Sequence, residues 1–132
     1  VPSARCPSIR VLYDNGNVKP LRGGVRVSDD LEIAVLTATF DARPEAVEAL
    51  AGTLARYVVM SRHEPQCRNV DLVTSLTNSG RFLVIEKWSS ADALQAHLNS
   101  PVMTQMAREA LPSLAHPPVL DLFDTISAHD LA

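Results

Sequence analysis

Aromatic side chains are scarce here: three Phe, two Tyr and one Trp in 132 residues. None is interleaved with Arg or Lys as a base-stacking platform would need. A net charge of -3 leaves no electrostatic footprint for nucleic acid. No apolar run reaches the length of a membrane span, so no membrane partner is expected. The opening stretch "VPSARCPSIRVLYDNGNVKP" lacks the apolar core of a secretory signal. Cys6 and Cys67 lie far apart with no CxxC or Cys/His spacing. No zinc or other metal site is expected from them, and two free thiols in a reducing cytoplasm are. Glycine is sparse too. Gly23-Gly24 has no strand-and-helix context, so no phosphate-cradling loop is present. Neither GxSxG nor HExxH occurs.

What is present divides near residue 30. Residues 1–30 form an N-terminal extension in which Pro, Gly, Arg and Asn punctuate short apolar runs. "IRVLY-DNGN-VKPL" fits either a small hairpin turning at Asn-Gly or an irregular arm that packs on a partner subunit. Residues 31–132 form the main domain. "EIAVLTATF" (32–40) is β-rich and free of breakers, so it predicts a strand. Pro44 suits a first helical position, and Val47, Leu50, Leu54, Tyr57 and Val58 recur at helical spacing as far as Met60. "RNVDLVTSL" (68–76) and "RFLVIEKW" (81–88) predict two strands around the turn "TNSG". Ser89 or Ser90 caps a short helix ending near Asn99, with Ser89 and Asp92 resembling a capping box. A second helix starts at Ser100-Pro101, and "VLDLFDTI" (119–126) closes the order.

Strand, helix, two strands, a helix pair and a strand make the βαββαβ pattern of an α+β ferredoxin-like fold, one antiparallel sheet with helices on one face. Such a sheet usually alternates apolar and polar residues. Here Phe82 and Val84 lie on one face and Leu83 and Ile85 on the other; Leu120 and Leu122 likewise oppose Val119 and Phe123. A Leu-sized side chain gains about 1.5–3 kcal/mol on burial, so a second apolar face calls for cover. A second copy packed sheet on sheet supplies it, and a homodimer is expected.

Of the four histidines, His63, His116 and His129 lie at a helix end, in a Pro-bounded loop and in the tail, and are expected to be surface or capping residues. His97 follows Leu94 by three residues and precedes Leu98, at the border of an apolar stripe. It is either a half-buried histidine held by a carboxylate or carbonyl, or a base facing a pocket, where an imidazole suits proton abstraction from a phenol. Glu86 and Trp88 alternate onto the face of Phe82 and Val84. A carboxylate there is either buried with a partner, Lys, Arg or His97, or a strand-end Glu in a surface ion pair. Trp88 is core or pocket wall, and Met103 and Met106 fill the core or line an adaptable cavity. Cys67 is expected to be a small buried hydrophobe.

"FLVIEKWSSADALQAHLNSPVM" (82–103) resembles the signature of the antibiotic biosynthesis monooxygenase family: an apolar strand, Glu-x-Trp, a polar turn, x-Ala-His and Ser-Pro. "EPQC" (64–67) resembles that family's Glu-Pro-Gly-Cys, with Gln66 for the glycine. The resemblance covers residues 32–127 and implies a dimeric α+β barrel. In its quinol monooxygenase-like branch it implies oxygen insertion into a small phenolic, quinol or anthrone-like aromatic, with O2 and no cofactor. His97 would be base or donor, Glu86 its orienter, and Trp88, Tyr57, Met103 and Met106 the substrate-binding walls. Two departures narrow the match. Val102 stands where quinol-oxidising relatives often carry His. Leu36, His97 and Met106 stand where the haem-degrading branch has Asn, Trp and the haem-ligating His, which disfavours haem degradation. The same scaffold also hosts isomerases of phosphorylated sugars, disfavoured by the lack of clustered Arg and Lys, and non-catalytic small-molecule-binding modules.

Overall fold

The computed structural model describes residues 33–127 together with 13–14 and 17–18. In the extension, β1 (Tyr13–Asp14) pairs antiparallel with β2 (Asn17–Val18), Tyr13 opposite Val18. The Asn15-Gly16 turn, the boundary near residue 30, Cys6 and His129 lie outside the described residues.

The main body runs β3 (Ala34–Asp41), a 3-10 turn (Pro44–Ala46), α1 (Val47–Arg62), β4 (Cys67–Thr74), β5 (Arg81–Trp88), α2 (Ala91–Leu98), α3 (Pro101–Ala110), a second 3-10 turn (Leu111–Ser113) and β6 (Val119–Asp124). The antiparallel sheet has the order β4-β5-β3-β6. This is the ferredoxin-like arrangement, with the first and third strands of the pattern at the centre. α1 packs on β4 and α3, and α2 on β3 and β5.

Period-two alternation fixes which side chains face the helices. Ala34, Leu36, Ala38 and Phe40 of β3 are buried, as are Phe82, Val84, Glu86 and Trp88 of β5. The other face carries Val35, Thr37, Thr39, Leu83 and Ile85, which are half-buried. On its flanks Val119, Phe123 and Val73 are 48%, 47% and 45% exposed. The register aligns them in rows: Val119, Thr39, Leu83 and Val73 in one, Phe123, Val35 and Lys87 in another.

Local chemistry moved several boundaries. α1 continues to Arg62, two residues past Met60, because Pro65 lies beyond its last turn; the amide of His63 still donates to the Met60 and Ser61 carbonyls. β4 stops at Thr74 because the Ser75 hydroxyl accepts from the Thr77 and Asn78 amides and bends the chain. Gly80 closes that turn at φ +79°. β6 stops at Asp124, and Thr125 Oγ1 turns back to donate to the Ile33 carbonyl. Ser90 caps α2, its Oγ accepting from the Ala93 amide, while Ser89 donates to Gln66 across the turn. The Ser89–Asp92 capping box is therefore not the one formed. Ser100 caps α3 in the same way, accepting from Met103 N.

Candidate functional site

Strand parity carries a carboxylate into the core. Glu86 sits on the inward face of β5, with Leu36 of β3 and Val70 of β4 as its register partners, and all three are fully buried. Its oxygens are met by two donors. Trp88 Nε1, two residues along the same face, donates to Oε1 at 2.9 Å. The Tyr57 hydroxyl, from the buried stripe of α1, meets Oε2.

α2 delivers the third group. Its Ser90 cap sets the start of the helix, and Leu94 and Leu98 anchor it in the core, so His97 is turned inward with only 1% exposure. The imidazole stacks on Trp88 with centroids 4.2 Å apart and planes 27° from parallel. Nε2 lies 2.7 Å from the Tyr57 hydroxyl and 3.4 Å from Glu86 Oε1. Nδ1 lies 2.9 Å from Glu64 Oε2, a carboxylate in the turn between α1 and β4. Both ring nitrogens are thus engaged, and neither is left as a bare base.

Burial raises the Glu86 pKa above its ordinary value, while His97, Tyr57 and Trp88 pull it back. Burial, followed by the charge of Glu86, raises the Tyr57 hydroxyl well above a normal phenol, so it stays protonated and acts as a bridge. Cys67 is half-buried beside these carboxylates, and burial with Glu86 and Glu64 pushes its thiol up to about 11. It is a free thiol with little thiolate at neutral pH and no nucleophile. Ser61, one turn beyond Tyr57 on α1, is fully buried; its hydroxyl lies near enough to the phenol to offset part of the rise in the phenol's pKa, but makes no hydrogen bond of normal geometry among the described residues.

The structure brings together four residues singled out in the sequence: His97, Glu86, Trp88 and Tyr57. Tyr57 enters as a hydrogen-bonding bridge, not only as an apolar wall. Met103 and Met106 lie buried on α3, which packs against α1 and α2. His63 and His116 are exposed, His63 bonding to the Val59 carbonyl and His116 to Asp41. Among the described residues no group of three or more His, Cys, Asp or Glu is placed to hold a metal ion. None of the described helices is long and apolar enough to cross a membrane.

Glu64 was not singled out for its chemistry. Its signal was present in "EPQC": Cys67 is opposite Trp88 in the β4–β5 register, so the turn just before Cys67 must lie near the indole and whatever stacks on it.

Similar folds occur among solved structures. PA3566 from Pseudomonas aeruginosa is 28% identical, with 74% of this chain and 98% of that one covered at a TM-score of 0.67. Rv0793 from Mycobacterium tuberculosis is 26% identical, with 73% and 97% covered and a TM-score of 0.68. NE2512, a Nitrosomonas europaea protein of unknown function, is 21% identical, with 78% and 98% covered at 0.70, and shows the fold alone. No curated protein matches. Residues 33–109 match the family described as antibiotic biosynthesis monooxygenase, a span that holds Tyr57, Glu64, Glu86, Trp88 and His97. The chain belongs to the antibiotic biosynthesis monooxygenase family.

Proposed function

We propose that the protein is a cofactor-independent monooxygenase of the quinol monooxygenase-like branch, oxidising a small phenolic, quinol or anthrone-like aromatic with O2. The observation that carries this reading is the buried line Glu86–Tyr57–His97–Glu64 with Trp88 against it. Buried ionisable groups cost folding free energy that an apolar core would not, and such clusters concentrate at functional sites. Packing alone gives no reason to place Glu86 between Leu36 and Val70.

In this mechanism the substrate is the reductant. The line accepts the phenol proton through His97, with Glu86 orienting it, and leaves an electron-rich phenolate. The phenolate gives one electron to O2, and the phenoxyl radical and superoxide then combine to form a C–O bond. Protonation yields a hydroperoxide. Loss of the ring C–H proton with cleavage of the O–O bond releases water and leaves a quinone carbonyl. One oxygen atom ends in the product and the other in water. Trp88, Tyr57, Met103 and Met106 serve as the apolar walls that keep bulk water from the anion.

The enzyme acts as a homodimer. The half-exposed Val119, Phe123 and Val73 on the outward sheet face support a second copy packed there, sheet on sheet. The free Cys67 thiol supports a reducing, cytoplasmic setting. Mass spectrometry of product formed under 18O2 tests the chemistry. One labelled atom per product molecule is expected; quinone formed without label would reduce the protein to an oxidase or a binder.

A further inference from the structure

The contacts from Glu64 to Glu86 impose a proton count. Glu64 Oε2 to Nδ1, Nε2 to the Tyr57 oxygen, and the Tyr57 oxygen to Glu86 Oε2 are three contacts in series. Each needs one hydrogen, because two lone pairs facing each other in a buried contact repel. Three protons fill the line in three ways that leave Tyr57 a neutral phenol and His97 neutral or doubly protonated. In one, His97 is an imidazolium and Tyr57 donates to an ionised Glu86. In a second, the Nε2 proton has moved to the Tyr57 oxygen and the phenolic proton to Glu86, leaving neutral His97 and a carboxylic acid. In these two Nδ1–H donates to an ionised Glu64; in the third that proton has crossed to Glu64, the end from which it can leave. In all three Trp88 donates to the remaining Glu86 oxygen. A line with two protons leaves one contact bare. The line must therefore lose a proton before it can take one from a substrate, and the loss needs an outlet.

Among the described residues, one end of the line reaches water. The Glu64 side chain is 26% exposed, while those of His97 and Glu86 are fully enclosed and Tyr57 is buried. We propose that Glu64 is a positioning residue that holds His97 in its Nδ1–H form and is the port through which the third proton passes between the buried line and solvent. Other groups around the imidazole are few. Tyr57 faces it from α1 and Glu86 and Trp88 from β5; Cys67 of β4 and Arg62 of α1 stand further along the same edge. The inward residues of β3 and α3 are apolar: Ala34, Leu36, Met103 and Met106. The use made of the proton rests on the monooxygenase reading; the positioning does not.

Two measurements on the intact protein test this without any turnover. Nitrogen-15 NMR of the imidazoles, with His97 assigned by difference against His97→Gln, reads the tautomer. The wild type should hold His97 protonated at Nδ1. In Glu64→Gln the ratio of Nδ1–H to Nε2–H should fall at least about tenfold, the effect of losing a hydrogen bond to a charged acceptor. Trp88, the single tryptophan, is stacked on His97, so its fluorescence reports the imidazolium, which quenches indole. Removing the Glu64 charge should weaken that quenching at a fixed pH. Glu64→Asp, which keeps a carboxylate on a shorter arm, should fall between the two in both readings. It also decides the matter should Glu64→Gln fail to fold. A tautomer ratio or a degree of quenching unchanged in the folded variant overturns the proposal. Because neither reading uses O2 chemistry, a protein that oxidises nothing could still pass, and an active one could still fail.

Discussion

Replacing Glu86 with Gln should change how stability depends on pH. Folded Glu86 binds its proton more tightly than an ordinary carboxyl, whose value is 4.5, because Leu36 and Val70 on the flanking strands exclude water from it. Once unfolded, it returns to the ordinary value. Between the two values the folded state holds more protons than the unfolded state, so stability falls as pH rises through that window. The full contribution is present below 4.5 and is lost as pH climbs to the raised folded value. The slope is capped at about 1.4 kcal/mol per pH unit for one proton. Gln imitates the protonated carboxyl, so the two proteins should be nearly equally stable in acid. Towards neutrality the Gln variant should become the more stable. Urea unfolding followed by far-UV circular dichroism, at one protein concentration across this pH range, measures the gap. A gap that stays flat, or wild type gaining on the variant as pH rises, would mean that Glu86 ionises at or below its ordinary value and that the desolvation argument is wrong.

Other outcomes follow from the same geometry. Ser61→Ala removes a buried hydroxyl that makes no hydrogen bond of normal geometry among the described residues, and should leave stability unchanged or raise it by about 1 kcal/mol; a lowered melting temperature would show that its approach to Tyr57, or a bound water, counts as a partner. Gly80→Ala forces a Cβ onto a residue at φ +79° with the Val47 side chain 3.4 Å away, and should cost about 1–2 kcal/mol in denaturant unfolding. Phe123→Lys charges the outward sheet face at a half-exposed site. It should leave the monomer folded and shift the proposed dimer towards monomer in sedimentation velocity, whereas a dimer unchanged by the charge would contradict packing through this face.

How much of this was legible in the sequence depended on the range of the interaction. β5 was bounded at both ends because Gly80 and the two serines punctuate a clean run, and parity within it already set Glu86 and Trp88 on one inward face. The α1 stripe placed Tyr57 inward for the same reason. Spacing fixes a face, however, and says nothing of what a hydroxyl meets across the core, so Tyr57 read as a wall before its bonds to Glu86 and His97 were seen. The choice between Ser89 and Ser90 turned on backbone geometry that two adjacent serines cannot reveal. Glu64 is the member of the site least visible in the sequence. It lies 33 residues from His97 along the chain, in a turn whose position follows from the β4–β5 register and not from any local pattern. The departures from helix and strand limits at Arg62 and Thr74 were each decided by one or two local hydrogen bonds, and that at Asp124 by one bond to Ile33, 92 residues away in sequence.

The most direct test of the proposed oxygen chemistry is O2 consumption by the purified protein with a panel of hydroquinones and anthrone-like phenols, in the presence of a metal chelator. Wild type, His97→Ala and Tyr57→Phe would be compared, each shown to be folded. Uptake that persists with chelator, falls by about two or more orders of magnitude in His97→Ala as expected for loss of an acid–base group, and falls also in Tyr57→Phe is the predicted result. Uptake unchanged in His97→Ala would contradict the account, because the buried line would then serve the fold and not the reaction.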